Sequence, residues 1–313
     1  MTDFSQHAGY STMFQREKLT LGLFFAIESY SGSAPKMNID QQIETAKLAE
    51  SQGFSALYFR DVLLEVPSFG DVGHIYDPWV LMGYVMAHTS RIALATGSIL
   101  STLRHPLHLA KAAASVDRLS GQRLVLGLAT GDRPSEFSAF NTSLEDRSSL
   151  YQEALAVLRH VWGNDFPSVS TPRVQMSGGD LLPKPACSDV PVLVTGSSRQ
   201  TVEWIAEHGD GWLYYPQPVA QQERTIRRWR SLMPKFKPFA QSLYIDLSED
   251  PHEGPTPIQL GIRAGSRYLV EYLEELEGAG VNHVGFNLKY GQRPAHEVVQ
   301  DLGENVVPRF PAH

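Results

Sequence analysis

Four stretches of the chain gather side chains that could do chemistry. The first, residues 60–79, reads R-D-V-L-L-E-V-P-S-F-G-D-V-G-H-I-Y-D-P-W and sets Arg60, Asp61, Asp71, His74 and Asp77 among aromatic rings. Ionisable groups interleaved with aromatics suit a wall facing an organic substrate, with Arg60, Asp61 and His74 as the groups to position it or move a proton. Plainer roles compete: Arg60 and Asp61 can bridge strands, and Asp77 reads first as the cap of a helix beginning at Pro78. The second stretch, residues 96–106, is T-G-S-I-L-S-T-L-R-H-P. Gly97 and Ser98 are small enough to let a flat ring approach the backbone, although Gly97 could equally mark a bulge and Arg104-His105 only shape a turn. In the third, residues 127–137 (G-L-A-T-G-D-R-P-S-E-F), Thr130 brings a hydroxyl and Arg133 a fixed positive charge suited to phosphate or carboxylate. An Arg133–Glu136 surface pair, worth little, is the alternative. The fourth, T-G-S-S-R-Q-T at residues 195–201, stands where a helix is expected from Arg199. Free N–H groups and the helix dipole would hold a phosphate there, with Ser197 and Ser198 adding hydroxyls. Serine at a helix start is common without any ligand, so this reading leans on the basic third stretch beside it.

The elements that must hold these stretches alternate along the chain. Residues 19–26 (L-T-L-G-L-F-F-A) are apolar nearly throughout, as a strand buried on both faces would be. A helical stripe follows from Asp40, with Ile43, Ala46 and Ala49 on one face and Gly53 as its stop. Further strands are expected at 56–59, 92–96, 124–128, 192–194, 212–214, 243–247 and 283–287. Helices fall between them at 78–88, 106–119, 144–162, 199–208, 220–232 and 266–276, and one closes the series at 295–306. Eight βα units are the count that closes a parallel (β/α)8 TIM barrel. A doubly wound sheet is disfavoured, because the first strand is followed by A-I-E-S-Y-S-G-S and not G-x-G-x-x-G. One domain over residues 1–313 is expected, with an N-terminal extension at 1–18 and an insertion before strand five at 165–189 that could serve as a lid. All four stretches then lie at carboxyl ends of strands, where barrels carry their sites.

Composition removes other classes of function. The chain is 42% hydrophobic and 19% charged with a net charge of −7, so a folded globule without a nucleic-acid or anionic-membrane surface is expected. Cys187 is the single cysteine, which excludes an internal disulfide and a cysteine metal site. Neither H-E-x-x-H nor G-x-S-x-G occurs, so neither a zinc hydrolase nor a serine hydrolase is indicated, and no metal is expected. No apolar leader or membrane span is apparent, which makes the cytoplasm the expected compartment. Phe69, Trp79, Trp212, Tyr214 and Tyr215 near strand ends would suit a ring-bearing substrate but serve equally as core, Trp212 above all.

The same residues resemble the luciferase-like flavin monooxygenase family over about residues 19–310. The most specific stretch is R-I-A-L-A-T-G-S-I-L-S-T-L-R-H-P-L-H-L-A-K-A-A-A-S-V-D-R-L-S-G-Q-R-L-V-L-G-L-A-T-G at 91–131, and the second is P-V-L-V-T-G-S-S at 191–198, followed by A-E-H-G-D-G-W. The resemblance implies a flavin cofactor, with a non-proline cis peptide at Gly97-Ser98 against its ring. It places Thr130, Asp132 and Arg133 beside the flavin, and Gly196, Ser197 and Ser198 at its phosphate. It implies a reduced-FMN monooxygenase acting with O2 on a small organic substrate, supplied by a flavin reductase and commonly homodimeric. A deazaflavin-dependent hydride-transfer dehydrogenase, or a flavin-binding protein without turnover, is the alternative. Where luciferases carry paired histidines after strand two this chain has Arg60-Asp61, so light emission is not implied. The R-D-V-x-L-x-x-P-S-F-G-D-V-G pattern resembles instead a subgroup of luciferase-type oxidoreductases of unknown substrate.

Overall fold

A computed structural model of the chain describes residues 2–30, 37–69 and 75–312. Eight parallel strands form the barrel: β1 (Thr20–Phe24), β2 (Ala56–Phe59), β3 (Ala93–Thr96), β4 (Leu124–Ala129), β5 (Val192–Thr195), β6 (Gly211–Tyr214), β7 (Phe239–Leu247) and β8 (His283–Asn287). Each pairs with the next, and β8 returns to β1 with His283 opposite Thr20, so the sheet closes. The outer ring is α1 (Ile39–Ser51), α2 (Pro78–Met86), α3 (Pro106–Leu119), α4 (Arg147–Gly163), α5 (Val202–His208), α6 (Val219–Ser231), α7 (Ser266–Ala279) and α8 (Ala295–Asn305). This is the (β/α)8 barrel expected from the alternation. Among the described residues no helix is long and apolar enough to cross a membrane.

Strands in such a barrel are buried on both faces, and here the two faces use different residues. Outward positions such as Leu21, Leu23, Leu57, Phe59, Leu94, Leu124 and Leu126 meet the helices in one large apolar cluster. Inward positions are mostly small, including Ala56, Ala93, Ala95 and Ala240, and leave room for the rings of Phe24 and Tyr58 in the lumen. The short helix Ala8–Met13 closes the amino-terminal end of the barrel, carrying Met13 and adjoining Phe14 into that inner cluster. Burial of side chains this size is worth about 1.5–3 kcal/mol each, so the extension is part of the fold. A buried His7–Asp117 contact at 2.9 Å ties it to α3.

Several boundaries differ from the sequence reading. Strand β7 begins at Phe239 instead of 243, and α5 at Val202 instead of 199, with Thr201 accepting from Trp204 N as its cap. Before α4 comes a short helix, Pro134–Ala139. After β7 the chain makes an antiparallel hairpin, Thr256–Ile258 with Gly261–Ala264, whose second strand pairs parallel with β7. Segment 165–189 contains a two-stranded ribbon and lies along α3 and α4. Arg173 reaches Glu153 at 2.6 Å and Leu150 O at 2.7 Å, Lys111 donates to Leu182 O, and Val174 and Leu181 enter the outer core.

Candidate active site

A cavity of about 510 Å³ opens at the carboxyl ends of the barrel strands. Its floor is Phe24, whose ring lies on Tyr58 with centroids 4.5 Å apart and planes inclined by 16°. Two glycines make that floor possible. A Cβ at Gly97 would stand 2.6 Å from one edge of Phe24, and a Cβ at Gly285 2.6 Å from the other. The Gly97–Ser98 peptide is cis, and so is Phe25–Ala26, which no sequence feature had pointed to. Ser98 Oγ donates to Thr195 Oγ1 at 2.7 Å, joining the ends of β3 and β5.

The β2 end carries Arg60 and Asp61 into the cavity wall. Asp61 is buried with both oxygens engaged: Arg104 reaches it through Nη2 at 2.7 Å and Nε at 2.8 Å, and Leu100 N donates at 3.0 Å. Arg104 therefore does more than shape a turn. It also reaches Asp77 at 2.9 Å, while Asp77 caps α2 through Trp79 N as expected. Burial alone would lower the Arg104 pKa, but the hydrogen bonds and charge of Asp61 outweigh it and hold the guanidinium ionised. Arg60 donates to Tyr30 OH at 3.3 Å. His74 falls outside the described residues.

The β4 loop brings Thr130, Asp132 and Arg133 to the same cavity. Gly131 holds φ +78°, open to glycine at little cost. Arg133 lies over the Phe69 ring at 5.4 Å and stands 3.6 Å from Glu136, and its Nη1 donates to Leu64 O at 3.3 Å. The Arg133–Glu136 pair thus exists, but it is no surface pair. Glu136 is 1% exposed, lines the cavity and accepts from Leu64 N at 3.2 Å, and burial pushes its carboxyl pKa upward, with Asp61 adding to the effect. Sequence reading treated it as a partner only, because nothing local distinguishes a buried glutamate in a short helix from an exposed one.

The turn after β5 holds left-handed backbone at Gly196, Ser198 and Arg199, with φ of 57°, 45° and 59°. Since α5 begins only at Val202, Gly196, Ser197 and Ser198 lie in this turn and not at a helix terminus. Gly196 N donates to Leu213 O and Gln200 N to Ser197 O, whereas the N–H groups of Ser197 and Ser198 meet no acceptor among the described residues. Alternating turns of this kind aim successive N–H groups into one concavity. Arg147, at the start of α4, and Arg199 also line it, and neither is paired with a carboxylate among the described residues. Arg147 had no signal in the sequence, where it reads as an ordinary helix-start residue.

The remaining wall comes from Tyr214, Tyr215, Ser242, Tyr244, Asn287 and Leu260. Trp212, by contrast, is core, with its Nε1 donating to Gly196 O at 2.6 Å. Ser242, Tyr244 and Asn287 occupy inward positions of β7 and β8, a phase that apolar runs buried on both faces do not reveal. Among the described residues, none of segment 165–189 reaches the cavity.

These features define the class: a parallel barrel with a ligand-sized cavity at its carboxyl mouth, small residues and hydroxyls on one wall and cations at one end. The model of the luciferase-like monooxygenase family matches residues 19–245, so the chain belongs to that family and is an enzyme of it. An uncharacterized protein of Mycobacterium tuberculosis is 31% identical over 189 residues, covering 56% of this chain and 67% of its own. An F420-dependent hydroxymycolic acid dehydrogenase of the same organism is 30% identical over 184 residues, 58% of this chain and 50% of that protein. Among solved structures, the FMN-bound oxygenating constituent of 3,6-diketocamphane monooxygenase from Pseudomonas putida superimposes with a TM-score of 0.77 at 14% identity, covering 94% of this chain and 99% of that one. The last likeness speaks to fold. FMN and deazaflavin enzymes both occur among these proteins.

Proposed function

We propose that the protein is a reduced-FMN monooxygenase acting with O2 on a small organic molecule. The observation that carries this reading is the anion end of the cavity. Arg147 and Arg199, neither in an ion pair among the described residues, and the N–H groups of Ser197 and Ser198, which meet no acceptor there, offer the positive charge and the donors that suit one phosphate monoester. A deazaflavin carries a longer acidic tail and calls for further cations, while Arg133 is turned toward Glu136 and Leu64. The donor set and the glycine-lined floor both fit a flavin mononucleotide.

When bound, the flavin supplies the oxygen chemistry, and the protein supplies orientation and electrostatics. Gly97 and Ser98 would admit the ring close to the backbone, Thr130 and Asp132 would flank it, and Gly196, Ser197 and Ser198 would hold the phosphate. Asp61 acts as a positioning group, because Arg104 and Leu100 N already occupy its oxygens. Arg60, on the cavity wall, would touch the substrate. The Phe24–Tyr58 stack beneath excludes water from the barrel side. A flavin reductase would supply the reduced cofactor.

Titration of the purified protein with FMN and with F420, each oxidised and anaerobically reduced, tests the reading by fluorescence. Tighter binding of reduced FMN is expected. Preference for F420 would move the function to hydride transfer, and binding of neither would remove the cofactor assignment.

A further inference from the structure

The cavity wall from β3 to β5 is the part assigned above to the cofactor. The wall from β6 to β8 is Tyr214, Ser242, Tyr244 and Asn287, with Leu260 on the rim at the tip of the β7–α7 hairpin. In the register of β7 and β8, Ser242 stands opposite Gly285 and Tyr244 opposite Asn287. Residues two apart on a strand share a face. Ser242 and Asn287 therefore both face the lumen, and the glycine opposite Ser242 puts no side chain between them.

Asn287 is 3% exposed, and its Oδ1 accepts from Lys289 N at 3.0 Å. A backbone N–H can only donate, so that contact fixes which end of the amide is oxygen. The NH2 end meets no acceptor among the described residues, although the residue lines the cavity. A buried donor in that state is costly until something supplies an acceptor. The Ser242 hydroxyl lines the same cavity and makes no hydrogen bond among the described residues either.

Both groups are uncharged, and with its oxygen spent the Asn287 amide can only donate. A carbonyl oxygen accepts two hydrogen bonds and asks for none in return. An alcohol would have to place its own hydrogen, and a carboxylate would bring a charge that neither donor offsets. Apolar surface lies alongside: Tyr214, with its ring held against Trp212 at a centroid distance of 4.7 Å, and Leu260, about half exposed.

We propose that Asn287 anchors the substrate by an uncharged carbonyl oxygen, with Ser242 as the second donor and the apolar body of the molecule against Tyr214 and Leu260. The proposal rests on the assignment of the β3–β5 wall to the flavin.

The test titrates the protein loaded with oxidised FMN, which does not turn over, with acetophenone, cyclohexanone and 2-decanone. Each ketone is compared with two mimics of the same body: the hydrocarbon in which a methylidene group replaces the oxygen, and the corresponding carboxylate. Calorimetry and the flavin absorbance are the readouts. At least one ketone should bind about tenfold more tightly than both of its mimics. Asn287→Asp keeps the oxygen that Lys289 N needs and loses the donor, so it spares the local fold. It should cut ketone affinity by about tenfold or more and FMN affinity by much less, and Ser242→Ala should cut ketone affinity by a smaller factor. Equal binding of ketone and methylidene mimic, tighter binding of the carboxylate, or no ketone binding overturns the proposal. A loss of FMN affinity in Asn287→Asp as large as the loss of ketone affinity would place the amide on the cofactor and overturn it too. If FMN itself fails to bind the parent, the cofactor reading fails separately. The ketones are then titrated into the protein alone, where a preference over the methylidene mimics that Asn287→Asp abolishes supports the anchor, and absence of that preference overturns it.

Discussion

Asp61 is buried between two partners, with Arg104 on both of its oxygens and Leu100 N on one of them. Asp61→Asn keeps the shape and removes the charge, leaving Arg104 with the more exposed Asp77 as its ion-pair partner. Removing one member of a buried pair costs about 3–5 kcal/mol, and partial exposure of Arg104 reduces the expectation to about 2 kcal/mol. Urea unfolding should show that loss together with weaker flavin binding, since the loop beside Gly97 loses its tie. A variant as stable as the parent that fails only in turnover would make Asp61 a proton-transfer group instead. His283 is a second buried titratable group, set in the lumen with Nδ1 2.8 Å from Thr20 Oγ1 and 3.3 Å from Ser55 Oγ. Burial pushes its pKa down from 6.5 to about 3. The unfolded chain takes up this proton near pH 6.5 and the native protein only near pH 3. The neutral histidine's contribution is therefore complete above pH 6.5 and is lost on acidification, by about 1.4 kcal/mol per pH unit within that window. Unfolding free energies at pH 7, 6 and 5 should fall more steeply for the parent than for His283→Gln. Parallel slopes would mean that the native histidine protonates normally.

At the scale of elements, the sequence announces what is local and stays silent on what is paired at a distance. Apolar runs and helical stripes reveal eight βα units, and the unusual residues at strand ends mark the carboxyl mouth where the cavity lies. Half of β7 is hidden because Gln241 and Ser242 interrupt its apolar run. In the fold Gln241 points outward to Gln222 Nε2 at 2.6 Å, and Ser242 faces the cavity. Glu136 is hidden for a related reason, since the N–H that receives its carboxylate belongs to Leu64, 72 positions away. The left-handed residues Ser198 and Arg199 delay α5, and neither serine nor arginine signals that geometry as glycine does. The hairpin after β7 depends on a single residue: a Cβ at Gly261 would lie 1.7 Å from Tyr244 O, so only glycine lets that strand pair with β7 and carry Leu260 to the rim. A lone glycine in a polar segment gives no hint of such an approach. The insertion at 165–189 was legible as an insertion, while its course along α3 and α4 follows from Arg173 and Val174, whose partners lie in distant helices.

For the whole molecule, a net charge of −7 opposes the approach of a phosphate dianion, yet the proposed cofactor is one. Screening settles the conflict: at physiological salt charges beyond about 8 Å are largely hidden, so Arg147, Arg199 and the Ser197–Ser198 N–H groups govern the local field. A ligand that binds only the folded barrel stabilises all of it, by about 2.7 kcal/mol at a hundredfold excess over Kd. For a chain of this size that amounts to a rise of several degrees in thermal midpoint. Riboflavin shares the ring system of FMN and lacks its phosphate, so the pair isolates the anion end. FMN at that excess should raise the midpoint by several degrees, and riboflavin at equal concentration should barely move it. The double variant Arg147→Gln/Arg199→Gln should bring FMN down to the riboflavin level and change the midpoint of the unliganded protein little, because neither arginine is ion-paired among the described residues and Arg147 gives up only its hydrogen bond to Leu144 O. Raising the salt should narrow the gap for the parent and leave the variant unaffected. Equal stabilisation by riboflavin and FMN would place the phosphate outside the β5 turn and remove the argument for a mononucleotide over a deazaflavin.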